Sequence, residues 1–349
     1  MVNRYYGTLG PACKDKETLK KMYMQGMNGV RLNLSHSDLE QCEELLTNYF
    51  QAAEGILEHP ELLIDLRGPE LRIGKMVSDI RLEAEEKVYF VGAGKTGNEE
   101  SNQHVKTVVV PQEVLEHMAA GQQVLLDDGK ILAEIISTSD DGTMQTSGMI
   151  CGQVLRGGIL SSGKSIALPG CNIMMPTLTD MDKKNLAVAV KYGVTGVMLP
   201  FVRGVEDLET LRNELKKSGA EHIRIFAKIE NLEGVAKLEE LIPACDEIVI
   251  ARGDLGNSVP LWELPVLQEQ IADTCRRMDR DFMVVTQMLA TMEHSAVPTR
   301  AEVSDIFRAV SQGASSVMLT AETAVGEYPV ESIEYLVKTA EAAKKYYMM

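Results

Sequence analysis

Several features that would assign this chain to a specialised class are missing from its sequence. No run approaches the roughly 18 uninterrupted apolar residues of a membrane span, and the start, Met1 to Tyr6, has no apolar signal-peptide core. The six cysteines form no CxxC pair and no zinc-ligand spacing, which fits a reducing cytoplasm better than a disulfide framework. We therefore expect a cytoplasmic protein without a membrane partner.

Positive charge and aromatic side chains are also scarce. The chain has 35 Lys and Arg against 51 Asp and Glu, a formal net charge of −16. This excess repels phosphate backbones at long range and argues against nucleic acid as a partner. It does not forbid a small anionic substrate in a locally basic pocket. One Trp and 6 Phe against 19 Met indicate an adaptable core, from which no function follows.

Short apolar runs of strand length alternate with amphipathic, helix-like segments along most of the chain. The runs lie near residues 4–8, 28–34, 61–66, 194–199, 223–229, 246–251, 282–286 and 315–319. This alternation predicts an α/β protein, specifically a (β/α)8 TIM barrel rather than an open sheet.

One interval, residues 70–166, breaks the alternation with short β-rich pieces and turn signals such as Asp127-Asp128-Gly129. We interpret it as a small β domain inserted between the third strand and the third helix. The barrel domain would then comprise residues 1–69 and 167–349. Gly68-Pro69 and Leu168-Pro169-Gly170 are the predicted hinges.

Two charged triplets, Lys228-Ile229-Glu230 and Arg252-Gly253-Asp254, end the fifth and sixth predicted strands. Because side chains alternate along a strand, Lys228 and Glu230 point the same way. A cation and two carboxylates at neighbouring strand ends suit a divalent metal with an anionic substrate. The alternative is a buried structural ion pair, but burying three charges without a ligand is costly.

Other polar residues follow the same rule, and the carboxyl ends of barrel strands are where such enzymes carry their active sites. Arg31, Asn33 and Ser35 alternate onto one face at the second strand, Asp65 ends the third, and Thr286 ends the seventh. Arginine can grip a phosphate or carboxylate, and amide and hydroxyl oxygens suit alkali or alkaline-earth cations.

The free backbone N–H groups of Gly253 and Asp254 would suit a carboxylate. Together the inventory suits phosphoryl transfer, where positioning and charge neutralisation dominate. A Walker A motif is absent, which excludes a P-loop kinase. Only one of the six histidines, His36, falls in a motif, so the residues for a zinc hydrolase or a Ser-His-Asp triad are missing.

Several motif-like stretches span nearly the whole chain: Thr8–Ala12, Arg31–His36, Asp65–Arg72, Leu168–Gly170, Ala227–Asn231, Ala251–Gly256, Thr286–Leu289, Pro298–Glu302 and Glu322–Ala324. In these stretches and in their order, the chain resembles pyruvate kinase.

The resemblance implies a glycolytic phosphotransferase that moves phosphate from phosphoenolpyruvate to ADP, giving pyruvate and ATP, with Mg2+ (or Mn2+) and K+. It implies that Lys228 and Arg31 stabilise the phosphoryl group, and that Glu230 and Asp254 hold the Mg2+. Thr286, with the N–H groups of Gly253 and Asp254, would hold the substrate carboxylate, and Thr286 would help deliver a proton to the enolate.

The resemblance also implies a K+ site and a nucleotide site. The K+ ligands would be Asn33, Ser35, Asp65 and the carbonyl of Leu66, and Glu70 goes with K+ dependence in the family. His36, Arg72 and Lys164 would approach the nucleotide phosphates. The inserted β domain would close over the barrel mouth and exclude water.

The sequence departs from the family's pattern in several places. Family members usually continue into a further domain that carries effector and subunit contacts, whereas this chain stops at Met349, so we expect that domain to be absent. Any homo-oligomer would then form through barrel surfaces. Pro200 stands where Ser is common, Gly163 where Arg is, Ser37 where Gly is, and Ala167 where Asn is.

The sequence leaves two alternatives open. One is a Mg-dependent lyase or aldolase that binds a pyruvate enolate on a related barrel, although the resemblance gives such enzymes neither a Lys at position 228 nor an inserted β domain. The other is a non-catalytic or regulatory relative of pyruvate kinase. The missing terminal domain favours this second reading, and the intact Arg31, Lys228, Glu230, Asp254 and Thr286 argue against it.

Overall fold

The computed structural model describes residues 2–35, 37–68, 71–76, 78–92, 106–127, 129–137, 149–171, 173 and 175–348, without the side chain of Met348. The chain divides into two compact units, Met1–Pro69 with Pro176–Met349, and Glu70–Met175. The second unit extends to Met175, whereas the sequence predicted that the inserted domain ends at residue 166. The predicted hinge at Leu168–Gly170 therefore lies within the second unit.

Within the described residues the strands, in chain order, are β1 Arg4–Thr8, β2 Gly29–Asn33, β3 Glu61–Asp65, β4 Ile80–Leu82, β5 Lys87–Gly92, β6 Thr107–Val110, β7 Gln123–Leu126, β8 Ile131–Ser137, β9 Met149–Arg156, β10 Gly158–Leu160, β11 Ile166–Ala167, β12 Gly196–Leu199, β13 Arg224–Ile229, β14 Glu247–Ala251, β15 Phe282–Val285 and β16 Ser316–Met318. The α-helices are α1 Lys16–Met24, α2 Glu43–Ala53, α3 Gln112–Leu115, α4 Asp180–Val188, α5 Val205–Lys217, α6 Leu232–Ala236, α7 Leu238–Leu241, α8 Arg252–Leu255, α9 Leu264–Arg277, α10 Arg300–Ser311, α11 Ala321–Ala324 and α12 Pro329–Met348.

The first unit is a closed barrel of parallel strands in the order β1-β2-β3-β12-β13-β14-β15-β16, with β16 returning to β1. Helices connect the strands, so the predicted (β/α)8 TIM barrel with an inserted β region is confirmed. Strands such as β12, β14 and β15 are buried at every position, as expected when a parallel sheet is covered on both faces.

Two apolar layers hold the barrel together. Side chains that point inward fill its interior: Tyr6, Leu63, Met198, Phe226, Val249, Ala251, Met283, Val285 and Met318. The alternate side chains point outward and pack with the helices in a larger cluster. Three methionines in the interior layer account for part of the sequence's surplus of Met and shortage of Phe, because flexible thioethers fill irregular gaps.

The second unit has its own sheet and its own core. Its six-stranded sheet has the order β11-β7-β8-β9-β5-β6, in which only β5 and β6 run parallel, and β10 pairs antiparallel with β4. Buried side chains such as Val88, Phe90 and Val124 form a separate cluster beneath this sheet. In the part of the chain that the structure describes, no helix is long and apolar enough to cross a membrane.

Candidate active site

Four charged side chains meet inside the carboxyl end of the barrel, although they come from strands far apart in the sequence. Arg31 Nε donates to Asp65 Oδ2 over 2.8 Å. Lys228 Nζ lies 3.2 Å from both carboxylate oxygens of Asp65 and 3.0 Å from Glu230 Oε1. Strand register explains this convergence, because Asp65 at the end of β3 pairs with Met198, and β12 pairs in turn with β13.

Opposite charges within this cluster stabilise the ionised forms of Asp65 and Lys228. The carboxylates of Asp65 and Glu230 are almost completely buried, and the side chains of Arg31 and Lys228 are each 14% exposed. Burial alone would raise the pKa of Asp65, but the nearby charges of Lys228 and Arg31 outweigh burial and lower this pKa. Burial would likewise lower the pKa of Lys228, but Asp65 and Glu230 raise it. Asp65 and Lys228 are therefore both charged near neutral pH.

Glu230 is held by backbone as well as by Lys228. Its Oε2 accepts the N–H of Phe201 over 2.8 Å, and Phe201 has a left-handed backbone with φ +52°. Asp254 follows β14 in the short helix α8, and it is near enough for its charge to raise the pKa of Lys228. The hydroxyl of Ser258 donates to the carbonyl of Glu230 over 3.3 Å and to that of Asp254 over 3.5 Å.

The predicted metal ligands make a sparse donor set. Among the residues that the structure describes, no cluster of three or more His, Cys, Asp or Glu side chains could hold a metal ion. Glu230 and Asp254 remain as a pair of carboxylates at adjacent strand ends. Mg2+ usually binds proteins through one or two carboxylates and completes its shell with water and substrate oxygens. The two carboxylates therefore fit Mg2+ or Mn2+ and do not fit zinc.

The predicted K+ ligands lie next to one another because of strand register. Asn33 on β2 pairs with Asp65 on β3, and the Asn33 side-chain oxygen accepts the N–H of Ser35 over 3.1 Å. Leu66, the next residue after Asp65, is buried and donates its N–H to Met198. Glu70 lies outside the described residues. Asp65 differs from the others, since its carboxylate is already bound by Arg31 and Lys228.

Thr286 and Gly253 lie side by side at the ends of β15 and β14. A Cβ atom on Gly253 would stand 3.3 Å from Thr286 Cγ2, so even a methyl group at residue 253 would crowd this contact. The N–H groups of Gly253 and Asp254 belong to the first turn of α8, where helical N–H groups have no partner within the helix. The predicted carboxylate-binding elements are thus adjacent in the fold.

The predicted nucleotide residues are placed only in part. Arg72 and Lys164 both lie in the second unit, on neighbouring segments joined by a bridge between Arg72 and Ser165. Arg72 Nη1 donates to the carbonyl of Gly163 over 2.8 Å, and Lys164 Nζ lies 2.8 Å from Asp127 Oδ1. His36 lies outside the described residues.

Two buried carboxylates that support the site were given no role from the sequence. Asp182, completely buried on α4, accepts the N–H groups of Arg67 over 2.9 Å and Gly68 over 3.2 Å, directly after β3. Its only local signal was the capping box that it forms with Thr179. Glu322 accepts the N–H groups of Leu289 over 3.0 Å and Thr320 over 2.7 Å, and so ties the ends of β15 and β16 together.

Comparison with known proteins assigns a family to this barrel. The family model described as the barrel domain of pyruvate kinase matches residues 3–333. The pyruvate kinase of Geobacillus stearothermophilus is 34% identical over 328 residues, which cover 94% of this chain and 54% of that protein. Those of Thermococcus litoralis and Aeropyrum pernix are each 34% identical over 97% of this chain, and the matches cover 69% and 70% of their lengths. The chain therefore spans between about half and 70% of these relatives.

Proposed function

Since this chain belongs to the pyruvate kinase family, we propose that it transfers the phosphoryl group of phosphoenolpyruvate to ADP, giving pyruvate and ATP in glycolysis. The observation that carries the proposal is the buried ammonium group of Lys228, held 3.2 Å from Asp65 and 3.0 Å from Glu230 beside the guanidinium of Arg31. Two cations in one enclosed polar cluster are what a transferred phosphoryl group needs.

The chemistry of phosphoryl transfer explains why positioned cations are sufficient. The group in flight is largely metaphosphate-like and spreads its negative charge over three oxygens, so the protein mainly positions it and neutralises that charge. Fixed cations in a site that excludes water interact more strongly than in bulk solvent and need no reorganisation during the reaction. We assign this role to Arg31 and Lys228, whose side chains are fixed by Asp65.

Bound metal cations are the second part of the proposal. Glu230 and Asp254 would hold Mg2+ or Mn2+, which supplies charge neutralisation to the substrate oxygens when bound. K+ would be bound by oxygen atoms of Asn33, Ser35, Asp65 and the carbonyl of Leu66, which are the hard ligands that such a cation prefers. The pairing of Asp65 with both Arg31 and Lys228 links the proposed K+ ligands to the phosphoryl-binding cations.

The remaining groups would bind the rest of the two substrates. Thr286 and the N–H groups of Gly253 and Asp254 would hold the carboxylate of phosphoenolpyruvate, and Thr286 would help to return a proton to the enolate. Arg72, Lys164 and His36 would bind the phosphates of ADP. In this assignment Met1–Pro69 with Pro176–Met349 forms the catalytic domain, and Glu70–Met175 forms a lid domain.

A coupled assay that reports pyruvate from phosphoenolpyruvate and ADP tests the proposal directly. It is run with Mg2+ or Mn2+, with K+ present or replaced by tetramethylammonium, and Mn2+ binding is measured in parallel by electron paramagnetic resonance. We expect turnover that requires the divalent cation and rises with K+. A protein that binds Mn2+ and phosphoenolpyruvate without turnover under any condition is a non-catalytic relative, and the proposal fails.

A further control separates the lyase alternative. A lyase or aldolase would use the same two carboxylates to stabilise a pyruvate enolate, so it would exchange the methyl protons of pyruvate with deuterated solvent without any nucleotide. Proton exchange together with an absence of ATP formation would favour that alternative. Phosphoryl transfer that Lys228→Met abolishes would favour the kinase, because the phosphoryl group then depends on this cation.

A further inference from the structure

The segment after β15 has an unusual backbone. Thr286 and Gln287 are consecutive non-glycine residues in the left-handed region, with φ +79° and +55°. Such a conformation is an outlier for a β-branched residue such as Thr286, and it persists only when the surroundings impose it. The structure must therefore contain contacts that hold Thr286 in place.

Arg252 makes those contacts. Its Nε and Nη2 both donate to the carbonyl oxygen of Thr286, over 3.1 and 2.7 Å, and Nη2 also lies 3.0 Å from Met288 Sδ. On the other side, Nη1 donates to Asp305 Oδ2 on α10 over 2.6 Å. The Arg252 side chain is only 11% exposed. A planar guanidinium can serve a carbonyl and a carboxylate at once, which an ammonium group cannot do with the same geometry.

The contacts of Arg252 also bear on the position of Thr286 relative to α8. Arg252 is the first residue of α8, and Gly253 follows it directly. The side chain of Thr286 faces Gly253, where an added Cβ would come within 3.3 Å of Thr286 Cγ2. The chain of contacts from Asp305 through Arg252 to the Thr286 carbonyl therefore sets where the Thr286 hydroxyl stands relative to the N–H groups of α8.

We propose that Arg252, anchored by Asp305, is a positioning residue that holds Thr286 in its left-handed conformation and so aims its side chain at the substrate carboxylate. This inference rests on the proposed function for the role of Thr286. Arg252 itself touches no reacting atom in this proposal, and its effect on turnover passes entirely through Thr286.

Crystal structures of the wild-type protein and of Arg252→Met test the positioning itself, independently of any activity. Methionine keeps an apolar stem and removes every donor, so we expect Thr286 to leave positive φ. The matched control is Arg308→Met on α10, where Arg308 forms an exposed pair with Glu269 and Thr286 should not move. Should Arg252→Met fail to fold, Arg252→Lys keeps a cation beside Asp305 but cannot reproduce the two guanidinium donors to the Thr286 carbonyl, so Thr286 should still shift. An unchanged Thr286 backbone in the folded variant overturns the proposal.

A double-mutant cycle tests whether Arg252 acts through Thr286. We expect Arg252→Lys to lower kcat on the order of 10- to 100-fold, as small displacements of a reacting group do, and to leave Mn2+ affinity unchanged. In a Thr286→Ala background the same substitution should lower kcat no further, because the hydroxyl group that Arg252 would position is already absent. Losses that multiply, or a weakened Mn2+ affinity, would show that Arg252 acts through Asp254 or elsewhere and overturn the inference. An inactive wild type would overturn the proposed function, while the crystal structures would still decide whether Arg252 holds Thr286.

Discussion

The ammonium nitrogen of Lys228 lies 3.2 Å from each carboxylate oxygen of Asp65, and this contact joins two strands that are not neighbours in the barrel. Lys228 is on β13 and Asp65 ends β3, with β12 between them. The two residues are 163 positions apart in the chain. The contact exists because both side chains point into the closed barrel, where the lysine stem reaches from β13 past β12 to the end of β3.

Substitution of Lys228 by Met should separate chemistry from metal binding. Methionine keeps the stem but removes the charge that would neutralise the phosphoryl group, so we expect kcat to fall by at least about 1,000-fold. Glu230 and Asp254 remain, so Mn2+ affinity should change by less than about tenfold, or ~1.4 kcal/mol. Coupled assays and Mn2+ titration measure the two quantities. Near-normal turnover in this variant would refute the role that we assign to Lys228.

The loss of folding stability at acidic pH should depend on Asp65. Because neighbouring cations lower the pKa of Asp65 in the folded protein, its ionisation stabilises the fold fully above the unfolded pKa of about 3.9. That stabilisation is lost as the pH falls through the lower folded value. Lys228 behaves in the opposite sense, since its pKa is raised and its contribution persists up to the alkaline range.

Urea unfolding of Asp65→Asn at a series of pH values measures this contribution. At about pH 7 the variant should be less stable by about 3–5 kcal/mol, because Arg31 and Lys228 lose a buried partner. The difference from wild type should stay constant down to about pH 5 and shrink below about pH 4. Asp273→Asn removes a carboxylate from an exposed ion pair and serves as the control. A difference that grows as the pH falls would contradict the assignment.

Asp182 should stabilise the barrel far more than its neighbour on the same helix turn. Asp182→Ala leaves the part-buried N–H group of Arg67 and the buried N–H group of Gly68 without an acceptor and breaks the capping box with Thr179, at a cost of about 3 kcal/mol. Asp180→Ala removes only an exposed carboxylate paired with Lys183, at a cost below about 0.5 kcal/mol. Chemical unfolding of both variants, followed by circular dichroism, makes the comparison. Equal losses would mean that the buried contacts contribute little.

Gly68 should tolerate alanine poorly for two separable reasons. Its φ is +58°, and a Cβ atom would stand 2.4 Å from Pro200 Cγ. Gly55 has a similar φ of +74° with nothing within 4 Å of the added atom. Gly55→Ala should therefore cost about 1 kcal/mol from backbone conformation alone. Gly68→Ala should cost about 3 kcal/mol, since overlap adds to strain.

Pro200→Ala, introduced together with Gly68→Ala, tests the overlap. Removing the Pro200 ring carbons clears the contact while leaving the backbone strain at residue 68 in place. The excess cost of Gly68→Ala over Gly55→Ala should then largely disappear. If the excess survives in the double variant, the ring of Pro200 is not its cause. Free energies of unfolding from urea titrations provide the values.

The sequence alone determined the elements of this protein and the side chains that the barrel presents at its carboxyl end. Strand identity is a local property, because short buried runs and a period of two set which residues face inward. For the same reason Lys228 and Glu230 could be placed on one face, and the family could be recognised from its motifs.

Only the tertiary structure decided which charges meet and what holds them. Asp65 binds both Arg31 and Lys228, and Asp182 holds the segment after β3, because the closed barrel brings distant strands to one level. Arg252 reaches the Thr286 carbonyl across adjacent strand ends, and no spacing within the sequence encodes that contact. Such pairings depend on register and on barrel closure, which are global properties of the fold. The local pattern therefore supplied the groups of the site, and the closed barrel supplied their arrangement.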